Sequence, residues 1–142
     1  MAVVVEPRYS QTIHPVHAVL LAGTVPLFLG AALGDAAYSA SYEIQWLDFA
    51  SWLIVGGLVL SGVALLFAIA DLSRPARRAR GVAAYTVVLL LLWVTGLFNA
   101  FIHARDAWAS MPTGLTLSII VTALACVATW LGFSTRRRWG TE

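Results

Sequence analysis

The sequence contains no lysine, a single cysteine and very little charge. Charged residues make up 11% of its 142 positions, where an ordinary soluble domain carries about 25%. Each shortage excludes something. Cys126 has no intramolecular partner, so a disulfide-stapled secreted domain is ruled out. So little charge beside 60% hydrophobic residues would leave a soluble fold with large apolar patches facing water. No glycine-rich phosphate loop, no HExxH and no nucleophile with a nearby base is present, so an enzyme is disfavoured. The net charge of +2 is not a nucleic-acid footprint, because all nine basic residues are arginines grouped beside apolar runs. An integral membrane protein remains, and residues 1–142 read as one membrane domain.

Four apolar stretches are present, over residues 16–34, 49–70, 81–102 and 115–133. The first, at about 1.5 Å per residue, covers roughly 28 Å, close to the hydrocarbon thickness of a bilayer. The predicted fold is therefore all-α, an antiparallel bundle of four transmembrane helices in contact with lipid. Pro15 suits the first turn of a helix, and Pro112-Thr113-Gly114 breaks the chain before the fourth span. Pro26 lies inside the first span and is expected to kink it by releasing the carbonyl of Ala22. Asp35 and Asp71 read as caps of the first and second spans, and residues 35–48 as a loop. Glu6, Pro7 and Pro15 before a full-length span argue against a cleavable signal.

Arginine placement gives the orientation. Arg8, the cluster Arg74, Arg77, Arg78 and Arg80, and the run Arg136-Arg137-Arg138 all fall on one side of the four spans. Only Arg105 falls on the other, where Asp35, Glu43 and Asp48 also lie. The positive-inside rule then places both termini in the cytoplasm of a bacterial inner membrane. Tyr38, Tyr42, Trp46, Trp52 and Trp108 form an aromatic belt at the outer face, with Tyr85 and Trp139 near the inner one.

Helices in lipid associate through close backbone approach and polar contacts, so small residues at regular spacing matter. Ala18, Ala22, Pro26, Gly30 and Gly34 recur every four residues on the first span, Gly57 and Ser61 on the second, and Ser118 and Thr122 on the fourth. These stripes are expected to build the bundle interior, or in one case a contact with a second copy or another membrane subunit.

Polar groups in or beside a span are costly and call for a reason. Two groups stand out. His14, His17 and Asp71 are brought to one depth at the cytoplasmic edge by the antiparallel order of the first two spans, where imidazoles and a carboxylate could hold a transition metal. The plainer alternative has Asp71 capping backbone or pairing with Arg74, and the histidines hydrogen-bonding among headgroups. At the outer side stand Asn99, His103, Arg105 and Asp106. Asn99 is expected to make an interhelical hydrogen bond, and His103 to face a cavity or reach interfacial water. A bis-histidine haem b within one chain is not possible, because His17 and His103 begin and end their spans on opposite sides of the membrane. A symmetric dimer with one His17 from each chain would be required.

His14-Pro15-x-His17, Pro26, Asp35, Trp52 with Gly56-Gly57, Asp71, Asn99, Arg105, Gly114, Ser118 and Gly132 together resemble a bacterial family of small four-helix membrane proteins, domain of unknown function 2231. The resemblance runs from about His14 to Phe133. It implies a shared fold and a place near electron-transfer complexes, since some relatives are joined to Rieske or cytochrome modules, but no established activity. It also implies a histidine at the start of the third span, where this chain reads Gly81-Val82-Ala83-Ala84-Tyr85. The functional expectation is an accessory or structural subunit of a membrane assembly, the alternative a haem- or metal-binding electron carrier using His14 and His17.

Overall fold

The computed structural model describes residues 14–73 and 80–137, the side chains of residues 80 and 135–137 excepted. Arg8, Arg74, Arg77, Arg78, Arg138 and Trp139 lie outside the described residues. Four long helices are present among those described: α1 (Pro15–Ser41), α2 (Ile44–Leu72), α3 (Arg80–His103) and α5 (Thr113–Arg137), with one short turn of helix, α4 (Ala107–Ser110), between the last two. Each long helix packs on two neighbours of opposite direction, α1 on α2 and α5, and α3 on α2 and α5. The result is a four-cornered antiparallel bundle.

The buried positions explain the packing. In α1 they include His17, Leu21, Thr24, Phe28, Ala31, Asp35 and Tyr38, and in α2 Leu47, Ala50, Ile54, Gly57, Ser61, Ala64, Ala68 and Asp71. In α3 they include Tyr85, Leu89, Leu92, Gly96, Asn99 and His103, and in α5 Gly114, Ser118, Val121, Ala125, Ala128 and Gly132. Every one of these series steps alternately by three and four residues. That average of 3.5 holds a seam against neighbours that cross at a shallow left-handed angle. A strict four-residue step does not. At 3.6 residues per turn it drifts about 40° around the helix at each step.

The small-residue stripe of α1 is corrected by this drift. Gly34 is buried, against the Trp46 carbonyl and Ala50, but Ala22 and Pro26 are exposed, with Ala18 and Gly30 half-buried between them. Gly57, Ser61 and Ser118 do lie inside, and Thr122 is half-buried. Gly57 has a specific neighbour: a Cβ there would stand 2.6 Å from the ring of Phe28, which also lies against Gly96 of α3. Phe28 fills the middle of the bundle because two facing helices present no side chain there.

The loop expected over residues 35–48 is also corrected. α1 runs through Pro26 without a break and on to Ser41, and α2 begins at Ile44, so only Tyr42 and Glu43 join them. Tyr42 takes the left-handed conformation, φ 58°, that ends a helix, and its N–H donates to the Tyr38 carbonyl at 2.8 Å. Asp35 therefore caps nothing. It sits inside α1 and is fully buried. Asp106 does act as a cap, accepting from the Trp108 N–H of α4 at 3.3 Å.

All four long helices are long and apolar enough to cross a membrane, and only 28–33% of their most apolar windows is buried within the bundle. The remainder, with Trp52, Phe98 and Trp130 among its largest side chains, faces outward. Backbone groups satisfied within helices and an apolar exterior are what a bilayer requires. The chain is a multi-pass membrane protein.

Candidate functional site

A ring of four polar side chains closes one end of the bundle. His103, in the last turn of α3, places Nε2 2.8 Å from Asp35 Oδ1 across the bundle on α1. Ser118 of α5 donates its hydroxyl to the other oxygen, Asp35 Oδ2, at 2.6 Å. Asn99, one turn before His103, donates from Nδ2 to Ser118 Oγ at 2.8 Å. His103 Nδ1 lies 2.9 Å from the Asn99 carbonyl, which returns the chain of bonds to its start. Asp35 and Asn99 have no exposed surface, and Ser118 and His103 almost none.

Local sequence makes this possible. Asp35, Asn99, His103 and Ser118 all occupy seam positions, so their side chains meet inside rather than in lipid. Gly114, in the first turn of α5, stands where a Cβ would lie 3.0 Å from His103 Cε1, so the imidazole lies directly over the α5 backbone. The ring ties α1, α3 and α5 together, including the α1–α3 diagonal.

The hydrogen positions follow from the inventory. Ser118 has one hydroxyl hydrogen and gives it to Asp35, so toward Asn99 it can only accept. Asn99 must therefore present its amide nitrogen, which leaves its Oδ1 buried with no hydrogen-bond partner among the described residues. An orphaned acceptor of this kind costs about 1–3 kcal/mol.

At the other end of the bundle His17 Nε2 lies 2.8 Å from the hydroxyl of Tyr85 on α3. Its ring stacks on Phe67 of α2 with centroids 5.4 Å apart, and the exposed His14 lies against the same Phe67 at 6.3 Å. Tyr85 stands in the stretch where the family resemblance implies a histidine. The ring also meets Gly132 of α5, where a Cβ would lie 3.1 Å from it. Asp71 is buried at the end of α2. Among the described residues no three His, Cys, Asp or Glu side chains gather so as to hold a metal ion. The three-ligand set of His14, His17 and Asp71 is therefore not assembled, and His17 is engaged by Tyr85 and Phe67. His17 is only 1% exposed, so it does not project from the bundle toward a second chain as a shared haem would require.

Of the outer residues read from sequence, Asn99 and His103 belong to the ring, Asn99 through the interhelical bond expected of it. The His103 side chain is 1% exposed and is engaged by Asp35 and the Asn99 carbonyl. Arg105 and Asp106 are exposed and outside the ring. Two members were missed. Ser118 was read only as a packing residue, and Asp35 only as a cap. The signal for Asp35 is in the sequence: the first and third spans run in one direction, so their C-terminal ends lie at one depth, and a carboxylate within an apolar helix needs a donor.

Beyond the ring, Tyr42 stacks on Trp108 at 5.7 Å and meets Tyr38 edge-on at 6.1 Å. These rings border a shallow cleft of about 340 Å³ completed by Met111, Pro112 and Leu115.

Comparison with curated proteins and with solved structures gives no match. The family model for predicted membrane proteins of domain of unknown function 2231 matches residues 13–141, a stretch holding both histidine ends and the whole bundle, and the chain belongs to that family.

Proposed function

We propose that this chain is a small non-enzymatic subunit of a larger assembly in a bacterial inner membrane, with both termini in the cytoplasm. The observation that supports it is the closed polar ring. Asp35, Asn99, His103 and Ser118 bond to one another across three helices, so the strongest polar chemistry inside the bundle is directed to holding it together. What the molecule offers a neighbour is its apolar outside. Trp52 on α2 is 77% exposed and Trp130 on α5 is 74% exposed, and large aromatic rings of this kind anchor protein contacts. Cross-linking in native membranes, followed by native mass spectrometry in nanodiscs, tests the reading. A reproducible higher-mass species that weakens with Trp52→Ala or Trp130→Ala is expected. A monomer alone in both experiments would count against it.

The second reading, a haem- or metal-binding electron carrier, draws on the two imidazoles of His14 and His17 standing against one Phe67 ring. Its demand is specific: His17 is 1% exposed, so the helices around it would have to part for a bound group to reach its ring. A Soret band or stoichiometric metal in protein purified from its native host, lost in His17→Ala, would establish it.

A further inference from the structure

The polar ring fixes a proton as well as a fold. His103 Nδ1 faces a backbone carbonyl at 2.9 Å, and a carbonyl oxygen only accepts, so Nδ1 carries hydrogen. His103 Nε2 faces Asp35 Oδ1 at 2.8 Å. Two lone pairs do not meet at that distance, so a further proton lies between them. Whether it rests on the imidazole or on the carboxyl, the pair holds one proton more than a neutral histidine beside a carboxylate, and its net charge is zero. Removing that proton leaves a negative charge buried between helices, where solvation is poor and the cost high.

The other ionisable side chain buried at this end is the Tyr38 phenol, one turn beyond Asp35 on α1. From α5 the pair meets Ser118 and Gly114, and the buried α2 residues at this end are Leu47 and Ala50. Glu43, Asp48, Arg105 and Asp106 stand exposed at the rim. The ring is also the polar fastening between α1 and the ends of α3 and α5 that flank α4. We propose that Asp35 and His103 form a single-proton site that locks this end of the bundle: occupied, it fastens α1 to α3, and vacated, it loosens that tie while Ser118 of α5 stays bonded to Asp35. The ligand is a proton exchanged with the aqueous phase at the α4 side. This goes beyond the subunit reading and does not depend on it.

The experiment uses the full-length protein in nanodiscs with ring-¹⁵N histidine. His103, identified by the loss of its signals in His103→Gln, is expected to show Nδ1 protonated and Nε2 sharing a proton, with the second signal altered in Asp35→Asn. Hydrogen exchange of the Ala107–Leu115 amides, corrected for intrinsic rates, is followed across the same pH series. Protection there is expected to fall at least tenfold over the interval in which the shared proton is lost. The double variant Asp35→Asn/His103→Gln keeps a neutral amide pair and removes the titrating proton, so its protection is expected to stay flat with pH. An unprotonated Nδ1, protection that does not follow the loss of the proton, or the same pH dependence in the double variant would each overturn the proposal.

Discussion

Ser118 accepts from one neighbour and donates to another, so its removal should cost more than a single hydrogen bond. Ser118→Ala strips a donor from Asp35 Oδ2 and an acceptor from Asn99 Nδ2, and both remain buried. A loss of about 1–3 kcal/mol is expected, read by thermal unfolding in detergent. Ser39, whose hydroxyl bonds the Ala36 carbonyl of its own helix at the surface, provides the control and should change little when replaced by Ala. The comparison at the C-terminal end of α3 is sharper still. His103→Ala should lower the unfolding temperature clearly, whereas Arg105→Ala, on an exposed side chain two residues later, should stay within about 0.5 kcal/mol of the parent. Equal effects would mean that the ring is not what stabilises this end.

Helix pairs are fitted together by absences of side chain. Phe28 occupies the space left by Gly57 and Gly96, and a methyl at Gly57 would enter its ring. Gly57→Ala should destabilise by about 1–3 kcal/mol through overpacking, and Phe28→Leu in the same chain should recover part of that loss. A double-mutant cycle measures the coupling; strict additivity would place the strain elsewhere. The same helices show what the sequence made legible. Four spans were readable from length and apolarity alone, because a bilayer demands nothing subtler. The seams are not legible from small residues every four positions, since that spacing marks the Ala22–Pro26 line, which turns out to the surface. In α1 the packing period of 3.5 is visible only when Asp35 and His17 are admitted as interior positions. A polarity-based reading moves both to the ends. That one assumption also hid the partner of His103, and with it most of the site.

Across the whole molecule, the four-helix membrane architecture is in hand, and its direction in the bilayer rests on where the arginines fall. A reporter joined after Glu43, between α1 and α2, should be active only if functional outside the cytoplasm, and one joined after Glu142 only if functional within it. The reverse pair of activities would invert the proposed topology and move the Asp35–His103 end to the cytoplasmic side, leaving the bundle itself unchanged. The His17 end is expected to be structural too: His17→Ala removes the bond to Tyr85, and a stability cost without any change in absorbance between about 380 and 450 nm, wavelengths at which haem absorbs, is the expected result.

The two-residue link at Tyr42–Glu43 leaves α1 and α2 at 27 and 29 residues, each roughly 40 Å long against a hydrocarbon layer of about 30 Å. The α1–α2 hairpin is therefore longer than that layer is thick. It must tilt, stand clear of the acyl chains, or draw longer lipids around itself. Membrane thickness then becomes a variable the protein responds to. In bilayers of single chain length, stability should pass through a maximum on the thicker side, and the protein should partition toward thicker regions of a mixed membrane.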